Sequence, residues 1–273
     1  MARRARVDAE LVRRGLARSR EHATELISAG RVLIAGTVAV KPATAVETGT
    51  PLIVREEPDE VSWASRGAHK LLGALEAFEP EGLSLEGKRC LDAGASTGGF
   101  TDVLLDKGAR EVVAVDVGYG QLIWRLQNDD RVRVFDRTNV RNITPESISG
   151  TVEIVVGDLS FISLGLVLPA LAACAGDGAD LLPMVKPQFE VGKDRVGSGG
   201  VVRDPVLRTE VVCDVADAAA ALGLRTLGVV ASPLPGPSGN VEYFLWLRKV
   251  GPFDYDAEQV RALVAQAVEE GPQ

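Results

Sequence analysis

The sequence predicts an α/β protein in two parts: a small α+β N-terminal domain, then a doubly wound, mostly parallel sheet. Three observations predict it. From residue 66 onward, helical patterns alternate with short apolar runs, as in βα units that cover both faces of a parallel sheet. A glycine-rich turn, Gly94-Ala95-Ser96-Thr97-Gly98-Gly99, follows the first of those runs. Charge is also divided along the chain: residues 1–55 carry ten Lys/Arg against five Asp/Glu, and the rest carries twenty against thirty-three.

The elements follow in order. Residues 8–17 read as a short helix with Asp8 as N-cap and Leu11, Val12 and Leu16 near helical spacing. Ser19 can cap a second helix that ends at Gly30. Residues 31–34 and 38–41 read as a hairpin around Gly36, and 52–55 as a further strand. These make a first domain over 1–58. Residues 59–65 follow as a linker, in an acidic stretch with Pro58 before it and Trp63 within it. The second domain, 66–273, opens with a helix at 70–78. Strands are expected at 88–93, 112–117, 132–135, 152–156 and 181–185, with helices between them. A terminal hairpin at 224–231 and 241–247 adds an antiparallel strand, and 256–269 forms an amphipathic helix.

Composition excludes several classes. The chain has 273 residues, 46% hydrophobic and 25% charged, which suits an ordinary globular protein. The longest apolar stretch, 164–185, is broken by Gly176, Asp177, Gly178 and Asp180, so no membrane span is expected. The start, Met1-Ala2-Arg3-Arg4, has no apolar run behind it and does not read as a secretory signal. Cys90, Cys174 and Cys213 are far apart, form no CxxC pair and give no metal-ligand spacing. No metal is expected, and a reducing cytoplasm fits.

The turn after the first strand offers a ligand site at the carboxyl ends of the strands. Its glycines match neither GxGxxG nor GxxxxGK[ST], so a ligand without a pyrophosphate is expected. Asp92 precedes the turn, where it can meet a positively charged amino-acid moiety. Asp116, at the end of the second strand and 22 positions after Gly94, can bind both hydroxyls of a ribose. The third strand ends in Phe135-Asp136-Arg137, where Asp136 can read an adenine edge. Three carboxylates at successive strand ends point to an adenosine-type cofactor, with S-adenosylmethionine as the candidate. The cofactor set is then Asp92, Gly94, Ala95, Ser96, Thr97, Gly98, Gly99, Phe100, Asp116, Asp136, Arg137 and Asp158.

With these motifs, the first 55 residues resemble an S4 RNA-binding domain and the remainder resembles the FtsJ-like ribose methyltransferases. With the segment Ser65-Arg66-Gly67-Ala68-His69-Lys70-Leu71, the whole chain is similar to the haemolysin-like TlyA family of ribosomal-RNA 2'-O-methyltransferases. The linker matches only loosely, as Val61-Ser62-Trp63-Ala64. The resemblance implies an S4-like domain before a Rossmann-like class I methyltransferase domain. It also implies methylation of a cytidine ribose in ribosomal RNA of the small and large subunits; the sequence leaves the oligomeric state open, with a monomer favoured.

Four charged residues stand out for the chemistry: Lys70, Asp158, Lys186 and Glu242. Asp158 follows the strand VEIVV, Lys186 ends LLPMV before Pro187, and Glu242 opens VEYFLWL. Strand edges of one sheet can bring them to one cleft, and they match the family's Lys-Asp-Lys-Glu tetrad. A ribose 2'-hydroxyl is a poor nucleophile at neutral pH. Lys186 is expected to orient it and to take or stabilise its proton, with Lys70 as a neighbouring cation and the carboxylates holding both ammonium groups. The glycine-rich segment 192–200 reads as a loop near that cleft.

For RNA, the phosphate-binding candidates are Arg3, Arg4, Arg6, Arg13, Arg14, Arg18, Arg20, Arg31 and Lys41. Residues 1–55 have no aromatic residue, which favours shape recognition of folded RNA over base stacking. Three rivals compete: an RNA-binding module without activity, a membrane-lytic protein, and an enzyme acting on a base or a protein. Base methylation often uses an aromatic-proline motif after the fourth strand, and Asp158-Leu159-Ser160-Phe161 lacks the proline.

Overall fold

A computed structural model describes residues 4–55, 63–192, 195–236 and 238–272. The chain divides into two compact units between residues 62 and 63. Arg3, residues 59–62 of the expected linker, and residues 193–194 of the glycine-rich loop lie outside the described residues.

The first unit has strands β1 (Arg4–Arg6), β2 (Val32–Ile34), β3 (Thr37–Val38), β4 (Ala45–Glu47) and β5 (Leu52–Val54). Its helices are α1 (Val7–Arg13) and α2 (Arg20–Ser28). β3, β2 and β5 form one antiparallel sheet, while β1 pairs with β4, a ribbon that the sequence did not suggest. Each of those two strands has three residues, and Arg-Ala-Arg shows no apolar alternation. Ser19 caps α2 by accepting from the His22 amide, as expected. Asp8 is not the N-cap of α1. That place belongs to Arg6, and Asp8 turns inward to bind arginines. The core is small: Val7, Leu11, Ala23, Leu26, Ile27, Val32 and Val46 are among its buried members.

The second unit is built on seven strands: β6 (Arg89–Ala93), β7 (Glu111–Val115), β8 (Val132–Phe135), β9 (Val152–Gly157), β10 (Ala175–Val185), β11 (Leu224–Ala231) and β12 (Tyr243–Lys249). Their order is β11-β12-β10-β9-β6-β7-β8. The five strands β6 to β10 run parallel, and β12 is antiparallel to both β10 and β11. Successive side chains of a strand point to opposite faces. Leu91 and Val113 therefore enter one core, with the helices α6 (Leu168–Cys174), α8 (Pro205–Ala220) and α9 (Ala257–Glu270). Cys90, Val112 and Ala114 enter the other, with α3 (Gly67–Phe78) and α4 (Gly99–Asp106). Near-continuous apolar strands are what a sheet buried on both faces needs.

Among the differences from expectation, one has a local cause. The stretches between β7 and β9 hold only α5 (Trp124–Gln127) and a 3-10 turn at Val140–Asn142. Asn128, Asp129, Asp130, Pro145 and Gly150 interrupt helix formation there. The last strand begins at Tyr243 rather than at 241.

The register positions the site. Ala93 lies opposite Val115 and Gly157, Val115 opposite Phe135, and Gly157 opposite Pro183. The parallel strands thus end in line, and their following loops share one edge. Val185 pairs with Tyr243, so the antiparallel β12 begins at that edge. Leu91 is fully buried between the helical layers, and Leu91→Ala is expected to lower the stability of this unit by about 2–5 kcal/mol. Guanidinium titration followed by tryptophan fluorescence measures it.

Candidate active site and cofactor turn

The turn after β6 is shaped by backbone constraints. Gly94 and Gly98 have φ of 88° and 103°, in the left-handed region that favours glycine. A Cβ at Gly94 would approach Leu159 and the Asp158 carbonyl, and one at Gly98 would run into Leu126 and Leu122. Gly94 and Ala95 both donate their amides to the Val115 carbonyl, and Thr97 accepts from the Ile123 amide. Ser96 sits at φ 48°, held because its amide donates to Asp116 Oδ2 at 2.8 Å. Gly98 opens α4, and a Cβ on Gly99 would strike Ser65 and the Ala68 amide. Phe100 points away from the turn. It is buried in the core, with its ring 6.0 Å from that of Phe244, so its side chain does not line the edge.

The three carboxylates differ in their surroundings. Asp92 is fully buried. Its Oδ2 accepts from the Thr101 hydroxyl at 2.7 Å, while Oδ1 has no hydrogen-bond partner among the described residues. Burial pushes its carboxyl up to about 7. Asp116 accepts from the amides of Ser96 and Gly118. Asp136 accepts from the Gly120 amide at 2.9 Å. Asp116 and Asp136 therefore build the loops as well as line them, and their remaining lone pairs stay available to a ligand. Arg137, at φ 51°, lays its guanidinium 4.2 Å from the centre of the exposed Tyr119 ring.

The four charged candidates meet at the same edge. Lys70, on α3, places Nζ 2.6 Å from Glu242 Oε2 and 3.7 Å from Asp158 Oδ2. Lys186 Nζ lies 2.5 Å from Asp158 Oδ1. Both lysines and Glu242 are buried, so the order Glu242–Lys70–Asp158–Lys186 is a chain of alternating charge that sums to zero. Buried ions persist only when paired in this way. Glu242 joins it although it precedes its strand, because β12 runs against the others.

Sequence reasoning missed several neighbours. Ser160 Oγ accepts from Lys186 Nζ at 2.9 Å, and Gln188 Nε2 donates to Glu242 Oε1 at 3.4 Å. A Cβ on Gly236 would come within 2.6 Å of Glu242 Oε1. Phe161 follows Ser160 at φ 63° and is 90% exposed. A non-glycine residue there costs about 1–3 kcal/mol, a strain that clusters at functional sites. The only available signal was nearness to Asp158 in the chain. His69 is exposed and turned away from the buried Lys70. Cys90 and Cys174 are buried, and burial pushes their thiols up to about 12 and about 11, which removes them as nucleophiles. Among the described residues no group of His, Cys, Asp and Glu is placed to hold a metal ion. No helix among them is long and apolar enough to cross a membrane.

In the first unit the arginines are organised by buried acids. Asp8 binds Arg6 and Arg20, and Glu10 binds Arg13 and Arg14. The Arg6 and Arg13 hydrogen bonds are the largest influences holding these carboxyls down at about 2 each. Arg14 also donates to the carbonyls of Thr48 and Thr50, so it is a structural tie rather than part of an open phosphate-binding face. Arg4 pairs with Glu47 at 3.7 Å, and Arg31 donates to the Arg55 carbonyl. Arg18 and Lys41 are exposed.

Comparison with known proteins agrees with this architecture. The FtsJ-like methyltransferase model matches residues 63–249, and the S4 domain model matches residues 5–52. The chain is 63% identical over 272 residues to the 16S/23S rRNA (cytidine-2'-O)-methyltransferase TlyA of Mycobacterium tuberculosis, with all of both chains covered. It is 35% identical over 188 residues to the 23S rRNA (cytidine-2'-O)-methyltransferase TlyA of Campylobacter jejuni, covering 68% of this chain and 71% of the relative. A solved structure of a hemolysin candidate from Streptococcus thermophilus superposes with a TM-score of 0.74 at 39% identity, covering 99% and 98% of the two chains.

Asp92 gives a direct test in the ligand-free protein. Its folded carboxyl titrates at about 7, above the ordinary 3.8. The folded state therefore holds the proton more tightly, and stability falls as pH rises from about 4 to about 7. Asp92→Asn removes that cost. The gain in thermal midpoint over the wild type is expected to be small at pH 4–5, to grow through pH 7 and to level off above it, as read by scanning calorimetry.

Proposed function

Because this chain belongs to the FtsJ-like methyltransferase family, we propose that it transfers a methyl group from S-adenosylmethionine to a cytidine 2'-hydroxyl in ribosomal RNA. The substrate is rRNA of the small or large ribosomal subunit, and the enzyme acts in the cytoplasm. One observation carries this proposal: the Glu242–Lys70–Asp158–Lys186 charge chain lies on the same sheet edge as the glycine-rich turn.

The residues at that edge fit the cofactor. The unpartnered Oδ1 of Asp92 is a buried acceptor beside the turn, suited to the cationic methionine end. Gly94, Ala95, Ser96, Thr97, Gly98 and Gly99 would allow close backbone approach, Asp116 would hold the ribose, and Asp136 and Arg137 would hold the adenine. S-adenosylmethionine supplies a methyl group that is already electrophilic on its sulfonium, so the protein's task lies with the nucleophile. Lys186, held between Asp158 and Ser160, orients the ribose hydroxyl and, as an ammonium, stabilises the negative charge that develops as the hydroxyl proton passes to solvent water. Asp158 fixes Lys186, while Glu242, itself bound by Gln188, fixes Lys70 from the other side. Rigid placement of the hydroxyl for in-line transfer contributes a large share of such rate gains. The exposed Phe161 gives the target base a surface on which to stack once it leaves its own stack.

The S4 unit supplies affinity. Each buried carboxylate there binds two guanidiniums, so each cluster keeps a net positive charge aimed outward, suited to RNA phosphates. Arg4, Arg6, Arg13, Arg18, Arg20, Arg31 and Lys41 are the proposed contacts, and Arg14 serves the unit's own structure.

Three experiments test these roles. Lys186→Ala is expected to abolish methyl incorporation from labelled S-adenosylmethionine into ribosomal subunits while calorimetry shows cofactor binding retained. Mapping of 2'-O-methylated riboses with and without active enzyme identifies the nucleotide, and an unchanged map would remove the proposed activity. Arg20→Ala is expected to weaken RNA binding and to reduce the slope of log K against log salt by roughly 1, with cofactor affinity unchanged.

A further inference from the structure

Phe161 combines a left-handed backbone with an almost fully exposed ring. A bulky residue stays in that conformation only when its neighbours over-determine it. On its N-terminal side, Ser160 is bound by Lys186. On its C-terminal side, Glu190 accepts from the Ser163 hydroxyl through Oε2 at 2.6 Å and from the Leu164 amide through Oε1 at 2.8 Å. Leu164 is itself buried, and Ser163 accepts from the Gly165 amide to cap the following 3-10 turn. Glu190 ends the short helix α7 (Pro187–Glu190), which starts directly after Lys186. The residue before it, Phe189, meets the Phe161 ring at 5.2 Å between centroids. The segments 158–164 and 186–190 are thus joined rung by rung, and Glu190 is the last rung.

Glu190 is a costly choice for a loop tie. It is partly buried, and among the described residues no Lys or Arg forms an ion pair with it, so only neutral donors compensate its charge. Burial accordingly pushes its carboxyl above the ordinary range. The charge chain of the site makes no use of it.

We propose that Glu190 is a positioning residue for the methyl acceptor: by pinning Ser163 and Leu164 it keeps Phe161 left-handed and its ring standing beside Lys186 to receive the target base. This rests on the methyltransferase function proposed above, and it adds a residue that acts on the acceptor only through Phe161.

The test is a double-mutant cycle on the full chain, with ribosomal subunits and labelled S-adenosylmethionine as substrates. Phe161→Ala and Glu190→Ala are each expected to lower kcat/KM for the subunit at least tenfold, with cofactor Kd within twofold of wild type. Glu190→Gln should recover most of the loss, since its amide oxygen can accept from Leu164 and its amide nitrogen can donate to Ser163. The double variant should be no slower than Phe161→Ala alone, because one residue works through the other. Additive losses in the double variant would overturn the proposal. So would wild-type kcat/KM for Glu190→Ala alongside an impaired Phe161→Ala, or an unimpaired Phe161→Ala. If Glu190→Ala fails to fold, Ser163→Ala removes one of the two bonds and enters the same cycle with the same criteria. A wild-type protein that methylates no rRNA contradicts the function itself, an outcome distinct from each of these.

Discussion

The structure depends on a chain of four charges, three of them buried and Asp158 partly so, that no member could carry alone. Taking an ion out of water costs several kcal/mol even after relaxation, and only close opposite partners offset it. Glu242, Lys70, Asp158 and Lys186 meet this condition as one chain, each ion pairing with the next. The condition also binds elements that are far apart in sequence. α3 must lie against the sheet at one height, β9 and β10 must end level with each other, and β12 must run antiparallel so that its first turn arrives where its neighbours finish. A register slip in any of these strands would strand a buried charge. The requirement for charge pairing and the requirement for strand alignment are the same constraint seen at two scales.

The S4 unit uses the same physics at lower stakes. Asp8 and Glu10 are almost wholly enclosed, and each binds two arginines, of which Arg6, Arg20 and Arg13 keep their outer faces in solvent while Arg14 is largely covered. A flexible arginine gives up rotamer freedom when it binds a phosphate, and prior anchoring by a carboxylate reduces that loss. The acids thus trade part of the unit's positive charge for arginines held in place. In so small a core these ion pairs also tie α1 to α2 and, through Arg14, to the strand-end carbonyls of Thr48 and Thr50.

The fold was legible because its signals are periodic. Val112, Val113, Ala114 and Val115 leave little choice but a strand buried on both faces, and the glycines Gly94, Gly98 and Gly99 close together disfavour a helix and favour a turn. Asp158, Lys186 and Glu242 were legible as strand-end outliers in apolar surroundings, and Lys70 as a charge on the helix before the sheet. What stayed hidden depended on partners rather than on pattern. Asp8 looks like a cap until Arg6 and Arg20 are seen to close on it. Phe100 looks like part of the turn, but the first residues of α4 face the core. Ser160, Gln188 and Gly236 owe their places to contacts across 26, 54 and a few residues respectively, which no spacing rule encodes. The ribbon of β1 and β4 was too short to leave a pattern.

Strain shows how the edge is kept rigid. Among the described non-glycine residues with positive φ, Ser96, Arg137 and Phe161 all lie in loops that leave the carboxyl ends of β6, β8 and β9. Each is held from a neighbouring loop or strand end. Asp116 takes the Ser96 amide, the Gly118 carbonyl takes the Arg137 amide, and Lys186 with Glu190 brackets Phe161. Loops so cross-tied cannot relax one at a time, because freeing any one of them leaves polar groups of the next without partners. The edge therefore behaves as one surface, stiff enough to hold a hydroxyl in place, and the local strain is the consequence of building that stiffness from loops rather than from the sheet.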